Sequence, residues 1–204
     1  MRYRSVLASP FLLLTFLVAL VVPPASAQRG ALTAPRSLAQ LTGEAQRIVH
    51  GYVLSARVEP HPQFKNLDTL VIRMSVTETL KGAPQSTLEF RQFIWDPRDK
   101  LDASRYAKGQ ELLLMLGPVS QYGLTSPVGL EQGRFRILRD RQGNVLALNG
   151  RGNAGLFAGV ETQARARGMK LSPRATALVR RTQPGPVPLA DLEDAVRTLA
   201  GGAQ

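Results

Sequence analysis

From Leu70 to Thr77 the chain alternates without a break: Leu70, Ile72, Met74 and Val76 on one side, Val71, Arg73, Ser75 and Thr77 on the other. That two-residue period belongs to a half-buried strand, because successive side chains of a strand point to opposite faces. A strand also needs partners, since its backbone N–H and C=O groups cannot be left unpaired away from water. The partners are legible. Leu88, Phe90 and Gln92 alternate with Glu89, Arg91 and Phe93 behind the turn Leu80-Lys81-Gly82-Ala83-Pro84. Residues 48 to 58 read as β, with Gly51 as a bulge or a point of close backbone approach. The run Glu111 to Leu116 is continuously apolar after its first residue, which predicts a strand buried on both faces. Residues 122 to 128 are expected to form a short edge strand limited by Pro127. Residues 134 to 138 and 145 to 148 form a hairpin around Asp140-Arg141-Gln142-Gly143-Asn144, a short polar connection containing glycine.

Helical spacing occurs at the two ends. Leu38, Leu41, Ala45 and Ile48 share one face behind Ser37, which serves as cap. Leu189, Leu192, Val196 and Leu199 share another, with acids early and Arg197 late, as the helix dipole favours. A further helix is expected around 160 to 167. These elements predict a mainly β fold: a small closed or partly open antiparallel barrel, OB-like, with an N-terminal and a C-terminal helix. Its interior should gather Met74, Val76, Leu88, Phe90, Leu113, Met115, Phe135 and Ile137 in one core.

The organisation follows. Residues 1–27 read as a cleavable export signal: Arg2 and Arg4, an apolar stretch to Val22, then Pro23-Pro24 and the small-x-small site Ala25-Ser26-Ala27. Pro10 leaves about a dozen unbroken apolar residues before Pro23, short of the roughly 20 that span a bilayer. Residues 28–36 are a flexible leader, 37–150 the β-barrel domain, 151–187 a connector rich in glycine and arginine, and 188–200 the C-terminal helix. The expected location is periplasmic or extracellular. The chain has no cysteine, so disulfides, thiolate metal sites and cysteine nucleophiles are excluded. An exported domain of this kind must hold together by its core alone. Losing Arg2 and Arg4 with the leader leaves 24 cations against 15 acids, a net +9. Such a balance favours anionic partners in general without defining one.

Four segments carry a resemblance: Ala45-x-x-Ile48-Val49-x-Gly51-x-Val53; Val76-x-Glu78-x-Leu80-Lys81-Gly82; Gly109 to Leu116; and Gln132-Gly133-Arg134-Phe135-Arg136. Their order resembles a group of uncharacterised exported bacterial proteins. More distantly it is similar to the OB barrel of netrin-like modules and tissue inhibitors of metalloproteinases. The resemblance implies a fold and transfers no catalytic residue. Those inhibitors chelate zinc through an N-terminal cysteine, which this chain lacks.

The chemical motifs are weak. Gly150-Arg151-Gly152-Asn153-Ala154-Gly155 has dinucleotide-binding spacing, but no acid follows between 168 and 181 to hold a ribose, so a glycine-rich loop is the expectation and no cofactor is assigned. Asp96, Asp99 and Asp102 suggest a calcium loop but lack EF-hand spacing and lie among Arg98, Lys100 and Arg105. His50 and His61 have no evident carboxylate cluster, so no metal site is read. Thr125-Ser126-Pro127-Val128-Gly129 is not a nucleophile elbow. Arg134, Arg136, Arg139 and Arg141 form the densest basic stretch and are the candidate polyanion contact. Phe135 alternates with them and should point into the core, leaving no stacking platform. The expected function is that of an exported, non-enzymatic β-barrel module that binds a protein or envelope component. The alternatives are a basic polyanion binder, or an enzyme with dispersed carboxylates such as Glu78, Glu111 or Glu131.

Overall fold

The computed structural model describes residues 34–94 and 105–201. The stretch 1–27, expected to be an export signal, and the Asp96/Asp99/Asp102 triplet lie outside the described residues. Helix α1 (Leu38–Glu44) begins in a capping box: the Ser37 hydroxyl accepts from the Gln40 amide, and the Gln40 side chain accepts from the Ser37 amide. Two orphan amides of the first turn are thereby satisfied reciprocally. Leu38, Ala39, Leu41 and Thr42 are buried. The chain then enters β1 (Arg47–Pro60) and returns through β2 (Asp68–Lys81), β3 (Thr87–Phe93) and β4 (Glu111–Leu116). Strands β5 (Arg134–Arg139) and β6 (Val145–Asn149) form the expected hairpin. Helices α2 (Val160–Ala166) and α3 (Pro173–Val179), a two-residue strand β7 (Val187–Pro188) and helix α4 (Leu189–Gly201) complete the chain.

All seven strands belong to one antiparallel sheet in the order β3-β2-β1-β4-β5-β6-β7. The sheet is not closed, because β3 and β7 lie at opposite edges. The stretch 122–128, expected to be an edge strand, joins the sheet only through isolated bridges, Leu124 to Arg91 in parallel and Pro127 to Leu116 antiparallel. Proline has no N–H to give a ladder there. Val187–Pro188 pairs with β6 instead, a strand too short to show a period in the sequence.

The expected single core is in fact two, one on each face of the sheet. Met74, Leu88 and Phe90 pack with Val49, Val53, Leu70, Ile72, Leu112, Leu114 and Leu116, with Val76 against them. Leu113, Met115 and Phe135 pack on the other face with Ile48, Leu80, Ala147 and the apolar sides of all four helices, with Ile137 against them. The parity of β4 causes the division: its even residues look one way and its odd residues the other, as its continuous apolar run implies. The stretch 151–187 is part of this packing. Leu156, Phe157, Val160, Ala164, Ala175, Leu178 and Val179 from that stretch are all buried in the helix-side core. Among the described residues no helix is long and apolar enough to cross a membrane.

Candidate functional site

The site begins with an irregularity in the longest hairpin. Along β1, Ile48 faces Lys81, Val49 faces Thr79, His50 faces Glu78 and Gly51 faces Val76, so Leu80 and Thr77 of β2 have no partner opposite. An extra residue on one strand bends the ladder locally and re-aims neighbouring side chains. The Thr77 hydroxyl donates to the His50 carbonyl at 3.0 Å. Gly51 lets the strands approach: a Cβ built there would stand 2.0 Å from the Ser75 carbonyl oxygen. His50 shares the parity of Ile48 and therefore lies on the helix-covered face, where that core ends. Glu111 of β4 is opposite Tyr52 and one diagonal step from His50, on the same face. Helix α4 supplies Glu193 from above.

His50 is held between two carboxylates. Its Nε2 lies 3.1 Å from Glu111 Oε1, and its Nδ1 lies 3.0 Å from Glu193 Oε1. The three side chains retain 13, 10 and 11% of their exposure respectively. Arg139 Nη1 donates to the other oxygen of Glu111 at 3.0 Å. Arg197 Nη2 stands 3.7 Å from Glu193 Oε2 and donates to Glu78 Oε1 at 2.6 Å. The result is a row of alternating charge, Glu78, Arg197, Glu193, His50, Glu111 and Arg139, that ties α4 to β1, β2, β4 and β5. Glu193 Oε1 is sealed from solvent, with His50 Nδ1 against it at 3.0 Å.

Burial is the largest single influence on His50 and opposes its charge, but the adjoining Glu193 and Glu111 together outweigh it and raise the imidazole pKa above its ordinary value. For Glu111 burial acts to raise the pKa. Arg139, His50 and Tyr52 outweigh it and hold the carboxyl below the usual range. These groups form the floor and rim of an open cleft of about 720 Å³. Its other wall is apolar: Val145 and Leu146 of β6, then Pro188, Leu189 and Ala190 where β7 runs into α4, with Asn144 at one end.

The expected absence of carboxylates around the histidines is thus corrected for His50, although His61 remains apart. The His61 Nδ1 accepts from the amides of Gln63 and Phe64, and Nε2–H donates to the Tyr122 carbonyl at 2.8 Å. That fixes one neutral tautomer and staples two loops. Of the four arginines in the basic stretch, Arg134 is buried, bonds Glu131 and the Arg105 carbonyl, and lies over the Tyr106 ring. Arg139 reaches Glu111 from the opposite face of β5. Arg136 and Arg141 are exposed. The four therefore do not form a continuous face. Glu78, Glu111 and Glu131 are likewise dispersed between this network and the Arg105–Arg134 pair. The glycine loop at 150–155 is held by Asn149 and Asn153, whose amide groups bond each other's backbone and the carbonyls of Gln132, Ala147 and Gly185.

Among the described residues no group of three or more His, Cys, Asp or Glu is placed to hold a metal ion. Glu193 is the site residue that the sequence reading missed. Its signal was present: it lies between Leu189, Leu192 and Val196 on the buried stripe of α4, where a carboxylate requires a partner. No family model, no curated protein and no solved structure matches the chain.

Proposed function

We propose that this chain is an exported, non-enzymatic binding module that holds a protein or envelope component in the His50 cleft. The observation that carries the reading is the chemistry of the lining. One wall is apolar, the floor is charged, and both ring nitrogens of His50 face carboxylates. The lining includes no serine, threonine, cysteine or lysine that could act as nucleophile. An apolar wall with a few convergent polar groups is the usual form of a recognition site. Export rests on the leader's pattern of charge, apolar core and small-x-small site. The ladder β3-β2-β1-β4, with the bridges of Leu124 and Pro127 across its open side, supports reading this half as a partly open OB-like barrel around its own core.

The enzyme reading has one observation in its favour, since Glu111 and Glu193 converge in a cleft. Glu111 is held low by Arg139, His50 and Tyr52 against its burial, which suits it to accept a charge partner rather than to donate a proton. The test is capture of the partner from the cognate envelope fraction, its purification, and titration against wild type and Ala190→Trp. Ala190 is an exposed residue of the cleft wall, so the variant should fold and lose the partner. Undiminished affinity in a folded variant would place the binding surface elsewhere.

A further inference from the structure

We propose that the exposed faces of α2 and α3 form a basic docking surface for an anionic phospholipid bilayer, seated at the level of the headgroups. The surface is separate from the His50 cleft and does not rest on the binding role assigned to that cleft.

The charge of the chain is concentrated there. Residues 151–187 hold seven of the 24 cations that remain beyond residue 27 and one of the 15 acids, Glu161, a net +6 out of +9. All seven cations are exposed. Packing gives them a common side. Val160 and Ala164 of α2 and Ala175, Leu178 and Val179 of α3 are buried in the helix-side core, so the opposite faces of both helices look outward. The one acid draws the helices together. Glu161 accepts from Arg165 of α2 at 3.4 Å and, through both oxygens, from Arg180 at the end of α3 at 2.9 and 3.0 Å. A seven-residue helix is about 10 Å long, so charges along each one lie within about a Debye length and act as one field.

That pairing uses up Glu161. Arg167 and Lys170 in the α2–α3 connection, Arg174 on α3 and Arg181 just beyond it face no carboxylate among the described residues. Arg174 and Arg181 are seven positions apart, two helical turns, and so share a side of α3 with the exposed Ala177. Cations left unpaired on one side of a molecule repel one another and attract an anionic surface.

The chemistry of the stretch selects the partner. Six of the seven cations are arginine, whose planar fork matches phosphate oxygens two at a time. Phe157 is the one aromatic residue in the stretch and it is buried, so no ring is offered for stacking on nucleic-acid bases. The surface is the outside of two helices, and none of its cations lines the His50 cleft. A planar array of headgroups fits such a shape, whereas a single polymer strand is gripped in a groove. No exposed large apolar side chain lies between 151 and 187, so the helices meet the headgroups without entering the hydrocarbon. The remaining 140 residues of the mature chain share only +3, and this one-sidedness turns the basic face toward the bilayer.

The experiment is co-sedimentation of the mature chain with phosphatidylcholine vesicles containing about 30% phosphatidylglycerol, at about 50 and 200 mM salt. Pure phosphatidylcholine vesicles, heparin and a single-stranded oligonucleotide are the other arms. The chain should bind the anionic vesicles, ignore the neutral ones and release as salt rises. Each basic residue near an anionic surface is worth about fivefold in partition. Arg167→Gln, Lys170→Gln, Arg174→Gln and Arg181→Gln combined should therefore weaken binding by more than about a hundredfold, with the melting temperature near that of wild type because all four are exposed. A control that removes the same charge elsewhere, Arg57→Gln, Lys65→Gln, Arg73→Gln and Lys108→Gln, should stay within about tenfold of wild type. Equal losses in the two variants would show that net charge alone attracts the vesicles and would overturn the surface. Binding that ignores lipid charge or salt would overturn it as well. Tighter binding to heparin or to the oligonucleotide than to the vesicles would assign the face to a polymer and overturn the bilayer as its partner.

Discussion

Replacing Gly51 with alanine tests how the site is built. A Cβ at this position would stand 2.0 Å from the Ser75 carbonyl oxygen and 3.0 Å from both Ser75 C and Val76 Cα. Carbon and oxygen in ordinary contact are about 3.3 Å apart, so β2 must retreat by about 1.3 Å from a ladder whose strands are about 4.8 Å apart. Overpacking usually costs about 1–3 kcal/mol when side chains can yield. Here the obstacle is backbone, paired on its far side with β3. The expected loss is therefore about 3 kcal/mol or more. With an m-value of about 2 kcal/mol/M in urea, the unfolding midpoint should fall by about 1.5 M. Gly43→Ala is the matched control: within 4 Å a Cβ there meets only the end of the Arg167 side chain at 3.8 Å, so it should be neutral or stabilising by up to about 1 kcal/mol. The same Gly51 substitution should move His50, whose carbonyl is tied to Thr77 across the irregularity, and shift its ring resonances. A loss below about 1 kcal/mol with His50 unmoved would refute the view that close approach at Gly51 aims the histidine.

Phe135→Ala removes the largest fully buried side chain among the described residues and should cost about 3–5 kcal/mol in the same urea assay. Arg134→Ala should cost about 1.5–3 kcal/mol, because it strips charged hydrogen bonds from Glu131 and from the half-buried Arg105 carbonyl, while Arg136→Ala should stay within about 0.5 kcal/mol. The difference in melting temperature between wild type and His50→Gln should be largest below pH 6.5, the ordinary histidine value, and shrink as pH rises through the raised folded-state pKa. A difference that grew with pH would reverse the sign assigned to the network. Glu111→Gln should act at the other end, its cost present at neutral pH and fading as pH falls through the lowered carboxyl pKa.

Much of the ladder was legible because parity is a local property. Leu70 to Thr77, Leu88 to Phe93 and the 134–148 hairpin show their faces within a few residues, and so do the cap at Ser37 and the stripe of α4. The two cores were not legible, since whether Met74 and Phe135 share an interior depends on how the sheet is covered. Helix α2 was expected at 160 to 167, whereas α3 was obscured by the arginines around it and buries only Ala175, Leu178 and Val179. The His50–Glu193 contact joins positions 143 residues apart, beyond the reach of any local period.

The site nevertheless lies where local rules fail together. Consistent patterning makes a sequence specify its fold, and departures from it tend to collect at functional positions. Here a histidine takes the core-facing parity of β1, a glutamate interrupts the buried stripe of α4, a second glutamate opens the otherwise apolar β4, and β2 carries unpaired residues at Thr77 and Leu80. Each departure alone is destabilising: a charge taken from water, or a rung missing from the ladder. Brought to one corner of the sheet they satisfy one another, as carboxylates flank the imidazole and guanidinium groups flank the carboxylates. A fold concerned with stability alone gains little from this, since apolar residues of similar volume often serve as well as a buried ion pair. An alternating row of charge that opens onto a cleft is instead what the proposed binding role would require.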